Sequence, residues 1–198
     1  MSLAEQPPTA AARETARALM QEGDELSAAG KHADALKNYL AAHALVRIPP
    51  TGLEVARSQV KVGQLVEARG LAMEMANSAP SAGEPPVYAR ARSAAAELAK
   101  DLGPRIPSIR TVVTPGTRYT LTIDGQVLPA EAQAIAFRLN PGTHTIVVAA
   151  PGFITQRKEV PLAERQAATL TVQLQLAQAN KGPAPAPAPA PGTAPRRN

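Results

Sequence analysis

Residues 118–126 read RYTLTIDGQ, 136–153 read AFRLNPGTHTIVVAAPGF, 158–162 read KEVPL and 168–176 read ATLTVQLQL. Apolar residues recur at every second position: Tyr119, Leu121 and Ile123; then Ile146, Val148 and Ala150; then Leu170, Val172, Leu174 and Leu176. Period two marks strands with one face on a core and the other in water. Asp124-Gly125, Asn140-Pro141-Gly142 and Pro151-Gly152 separate the runs, and each is turn chemistry. The stretch predicts a small antiparallel β-sandwich. Its inward face should include Leu121, Ile123, Leu139, Ile146, Val148, Leu170 and Val172.

Thr122-Ile123-Asp124-Gly125, Leu139-x-Pro141-Gly142-x-His144-x-Ile146-x-Val148 and Pro151-Gly152-Phe153 together resemble the PEGA domain. The resemblance covers about a third of the chain and implies a bacterial β-sandwich module of envelope and surface proteins.

Upstream the period changes. From Thr9 to Leu102 the pattern is helical, and small residues repeat: Gly23, Ala56 and Ala89 are spaced by 33, as are the pairs Gly30–Gly63 and Ala35–Ala68. Val55-Ala56-Arg57-Ser58 is echoed in Tyr88-Ala89-Arg90-Ala91. A period near 34 with small residues at these positions resembles the tetratricopeptide repeat, in which paired helices approach closely only where side-chain bulk is missing. Helices are predicted near 10–28, 31–46, 52–62, 64–78 and 86–102, making two repeats and a cap helix. Thr51-x-x-Glu54 reads as a capping box, Pro49 and Pro80 as stops, and Gly103-Pro104 as the end of the fifth helix. Tyr39 and Leu40 are expected in the helical core.

Pro104-Arg105-Ile106-Pro107 is a stiff junction, and from Pro183 to Pro191 proline alternates strictly with alanine. Helical repeats, this junction and a β module together resemble a group of bacterial secreted proteins of tetratricopeptide-plus-PEGA layout, in which a proline-rich linker and membrane segment commonly follow. The expected organisation is α+β with two domains. Residues 1–9 are a disordered start, 10–103 tetratricopeptide-like hairpins, 104–107 the junction, 108–177 the sandwich and 178–198 a disordered Pro/Ala-rich tail. Few contacts are expected between the halves beyond the junction.

Composition narrows the function. The chain has no cysteine, so disulfides, thiolate metal sites and a cysteine nucleophile are excluded. Aromatics are 3%, and the 21 basic against 16 acidic residues are scattered, a poor footprint for nucleic acid. His32, His43 and His144 have no metal-ligand spacing, and no nucleophile elbow, P-loop or dinucleotide fingerprint appears. His144 reads as a turn residue, and Asp124 as an acceptor for its own turn amides. No catalytic residue, metal or cofactor is predicted. No stretch has the roughly 20 apolar residues a membrane span needs. The start lacks a secretory signal, which fits either a cytosolic protein or a trimmed, exported one.

Binding is the remaining class. In tetratricopeptide arrays the first helices of successive hairpins line a concave groove. In that frame Arg17, Asp24, Arg57, Lys61 and Arg90 face the groove, with Arg57 and Arg90 one repeat apart. Such cations suit a carboxylate or acidic peptide. The expected function is a non-enzymatic scaffold of the bacterial cell envelope that binds a protein partner. A cytoplasmic adaptor with the same groove and a glycan-contacting β module are the alternatives.

Overall fold

A computed structural model describes residues 7–177. The expectations for residues 1–6 and 178–198 lie outside the described residues. The chain is α+β: five long helices are followed by two small sheets.

The helices are α1 (Ala10–Ala28), α2 (His32–Val46), α3 (Pro49–Lys61), α4 (Leu65–Ala76) and α5 (Pro86–Leu102). Thr9 caps α1, its hydroxyl accepting from the Ala12 amide at 3.1 Å. The two helix-to-helix turns after α1 and α3 repeat bond for bond at an offset of 33. Gly30 N–H donates to Ser27 and Lys31 N–H to Leu26; Gly63 N–H donates to Val60 and Gln64 N–H to Gln59. Gly30 and Gly63 both have positive φ, which only glycine adopts without strain. Ala35, Ala68, Ala42 and Ala72 are fully buried where the helices meet.

The start of α3 differs from the sequence reading. Pro49 does not merely end the preceding helix; Pro49 and Pro50 occupy the first two positions of α3 itself. Proline is favoured there, because its missing N–H would have no intrahelical acceptor. Thr51 therefore sits inside the first turn, donating to the Ile48 carbonyl at 2.9 Å, and Glu54 pairs with Arg57. The capping box does not form. Leu40 is also corrected: it is 45% exposed, one residue and so about 100° round the helix from buried Tyr39.

The 33-residue offset stops before α5. Ala56 is buried but Ala89 is exposed, and α5 instead buries Ala91, Ala95, Ala99 and Leu102. The cause is the connection. Residues 47–48 join α2 to α3, whereas the longer segment 77–85 joins α4 to α5 and resets the phase. Arg92 holds that segment through a nearly buried ion pair with Glu84, whose carboxylate also accepts from the Ser81 amide at 3.1 Å.

Strands β1 (Ser108–Thr114), β4 (Phe137–Arg138) and β7 (Ala167–Gln173) form one sheet in the order β4-β1-β7. Strands β2 (Thr120–Ile123), β3 (Gln126–Leu128), β5 (Gly142–Ala149) and β6 (Gln156–Leu162) form the other, ordered β3-β2-β5-β6. A single turn, α6 (Ala130–Gln133), bridges β3 and β4. Both sheets feed one core, including Ile109 and Val172 from the first and Leu121, Ile123, Ile146 and Val148 from the second. Tyr119, Phe137, Leu139, Phe153 and Leu170 pack against it half-buried.

Leu139 and Leu170, expected inside, are thus only partly so, and two further expectations fail here. The arrangement is not wholly antiparallel, since β1 and β7 run parallel from Ser108↔Ala167 to Thr114↔Gln173. The chain passes through the other sheet between them, so β7 returns in the direction of β1. Leu176 is 72% exposed because β7 has already ended at Gln173.

A few contacts between the halves lie beyond the junction. Ile106 is buried with Leu65, Ala68 and Leu102 of the helices. Arg138 donates to the Gly103 carbonyl at 2.8 Å, and Asn140 reaches the start of α4. Arg105 spans the junction between Asp101 and Glu164.

A candidate binding groove

A cavity of about 670 Å³ opens between α1, the α2–α3 corner and the start of α5. Its floor is apolar, with Met20 from α1, Val46 and Ile48 from the corner and Val87 from α5. Arg13 and Arg17, one helical turn apart on α1, form a basic wall, and Tyr88 contributes an aromatic ring. The corner is shaped by Arg47, a non-glycine residue with φ 42°, which turns the chain sharply between α2 and α3.

Of the five sequence-predicted groove residues, two belong to this cavity. Arg17 and Asp24 line the cavity. Arg57, Lys61 and Arg90 are exposed and lie outside its lining. Arg17 pairs with Glu14 at 2.6 Å and Arg57 with Glu54 at 2.6 Å, both across one helical turn. Lys61 donates to the Ser27 hydroxyl of α1 at 2.7 Å, tying α3 to α1. The expected equivalence of Arg57 and Arg90 rests on the 33-residue offset, which α5 does not keep.

Asp24 has a structural bond as well. The buried Tyr39 hydroxyl donates to its carboxylate at 2.7 Å. Burial, and then this hydrogen bond to Asp24, push the Tyr39 phenol up to about 12. Next to it, the His43 ring donates from Nδ1 to the Thr51 hydroxyl at 2.8 Å, whose own proton is committed to Ile48. Burial holds the His43 pKa below the usual imidazole value, so this ring is neutral near pH 7.

Reasoning from charge alone missed the apolar floor. The signal that pointed to it is a pair of large residues, Val87 and Tyr88, in the first turn of an alanine-rich helix. Val87 is 44% exposed, so it is not needed for the core.

In the β half a polar cluster sits at the β2–β3 turn. Asp124 and Gly125 both have positive φ, the conformation of a two-residue hairpin turn. The Asp124 carboxylate does not serve its own turn; it accepts from the Thr145 amide at 2.8 Å and faces His144 Nδ1 at 2.6 Å. Among the described residues no group of three or more His, Asp or Glu side chains could hold a metal ion, and no helix is long and apolar enough to cross a membrane.

No protein-family model and no curated protein matches this sequence.

Proposed function

We propose that the chain is a non-enzymatic binding scaffold whose helical half is a short tetratricopeptide-like array. The groove takes an extended peptide, with an apolar side chain seated on Met20, Val46, Ile48 and Val87 and an acidic group against Arg13 and Arg17. The observation that carries this reading is the cavity itself. It is contributed by α1, α3 and α5, alternate helices of the series, together with the α2–α3 corner, and its apolar floor is left open beside a basic wall. The hydrogen bonds repeated at an offset of 33 support the array. The PEGA-like features of residues 122–153 support a scaffold of the bacterial cell envelope, with the β half as spacer or docking module.

Peptide-display selection on the whole chain tests the reading. Selected peptides should pair a large apolar residue with nearby Asp or Glu. Met20→Lys combined with Val87→Lys should abolish their binding, whereas charge reversal at Arg57 and Arg90 should weaken it little. Selection of no such peptide, or binding that survives the Met20/Val87 change, refutes the groove.

A further inference from the structure

The start of α4 has no cap of its own. Gln64 at the cap position makes no side-chain bond to the helix. The missing acceptor comes from the β half: Asn140 Oδ1 accepts from the Val66 amide at 2.8 Å, and Asn140 Nδ2 donates to Glu67 Oε2 at 2.7 Å. One side-chain amide thus serves an amide and a carboxylate of the first turn, as the two halves of a capping box do together, from a residue 74 positions beyond Val66 in sequence.

Asn140 is itself held from behind. Its backbone carbonyl accepts from His144 Nε2 at 2.8 Å, while His144 Nδ1 lies 2.6 Å from Asp124 Oδ2. A carbonyl cannot donate, so Nε2 carries a proton. A carboxylate is an acceptor too, so Nδ1 carries one as well, and the ring that satisfies both partners is the imidazolium.

We propose that Asn140 is a latch fixing the β half to the helical half, and that the protonation of His144 sets whether the latch is held. A neutral ring has one N–H for two acceptors. It keeps the stronger, charge-assisted bond to Asp124 and gives up the Asn140 carbonyl, which frees the 139–142 turn that presents the latch. The neighbours bear this out. Across β5–β6 the residue opposite His144 is the uncharged Val160, Asp124 faces the ring from the β2–β3 turn, and Glu67 of α4 is reached through the Asn140 amide. Burial alone would lower the His144 pKa, but the bonds to Asp124 and Asn140 outweigh it and raise it. The latch is independent of the groove reading.

NMR on the intact chain tests this. The Val66 amide and the Asn140 side-chain amide should shift with the same apparent pKa as the His144 ring, while the Ala72 amide, mid-α4, stays still. Residual dipolar couplings from both halves should fit one alignment tensor below that pKa and lose the common fit above it. Asn140→Ala should lose the common fit at every pH. Asp124→Asn, which keeps a residue suited to positive φ, should move the ring and Val66 transitions together to lower pH. A His144 ring that titrates while Val66 and Asn140 stay flat overturns the switch. A common fit retained in Asn140→Ala overturns the latch.

Discussion

Gly23 of α1 lies against the ring of Tyr39 of α2 so closely that a Cβ built on it would stand 2.6 Å from Cε1. The ring cannot easily move aside, because its hydroxyl is bonded to Asp24 and its body is buried. Gly23→Ala adds roughly 1 kcal/mol of helix propensity. Overpacking costs about 1–3 kcal/mol, and here the larger end applies because the obstacle is a fixed aromatic ring. The variant should therefore be less stable, read as a lower denaturant midpoint with an unchanged slope. A midpoint at or above wild type would show that α1 and α2 are not held this closely.

Ile146 and Leu170 both point into the sheet core, but unequally. Ile146 is 1% exposed and Leu170 only half-buried beside the core. Ile146→Ala should cost about 2–5 kcal/mol and Leu170→Ala clearly less, because a partly open site collapses or admits water. Urea titration of the two variants checks the order. Equal losses would mean that the edge by β7 is covered.

Glu84 and Arg92 are the chain's most buried ion pair among the described residues, with side chains 13% and 12% exposed. Arg92→Ala leaves a carboxylate without its cation in a nearly dry site, a change worth about 3–5 kcal/mol. Removing both charges as Glu84→Gln with Arg92→Met should recover much of that loss. Thermal melting reads the difference, and no recovery would show that the charged bonds of the pair, including the one from the Ser81 amide, are what hold the segment.

Much of the fold was legible in local pattern. Ile123, Ile146 and Val148 alternate without interruption, and Gly30 and Gly63 sit where turns demand positive φ. What local pattern concealed was phase across long connections. Ala89 fits the repeat by counting, yet segment 77–85 turns α5 so that Ala91 is buried instead. The parallel pairing of β1 with β7 and the capping of α4 by Asn140 join residues 59 and 74 positions apart, and no short window contains both partners. The candidate groove suffered similarly. Charged residues on the expected faces were easy to name, but the apolar floor is assembled from the middle of α1, the α2–α3 corner and the start of α5, which no short window contains together.

The His144–Asp124 pair also makes stability depend on pH, with a sign fixed by the two shifts. For His144, burial lowers the pKa but the bonds to Asp124 and Asn140 prevail, so it is higher folded than unfolded. The folded state then holds its proton more tightly, and this contribution is complete below the unfolded value of about 6.5 and lost as pH rises through the folded pKa. For Asp124, burial raises the pKa but the bonds from His144 and Thr145 prevail, so it is lower folded. That contribution is complete above the unfolded carboxylate value of about 3.9 and lost as pH falls through the folded pKa. Buried, neutral His43 adds a second loss on the acid side, because unfolding lets it take up a proton. Denaturant midpoints measured from pH 2 to 9 should therefore peak between the carboxylate and imidazole transitions and decline on the alkaline side. Asp124→Asn should flatten the alkaline limb, since it removes the partner that raises the His144 pKa, while leaving the His43 contribution on the acid limb. An alkaline limb unchanged by that substitution would show that His144 is not ionised in the folded chain.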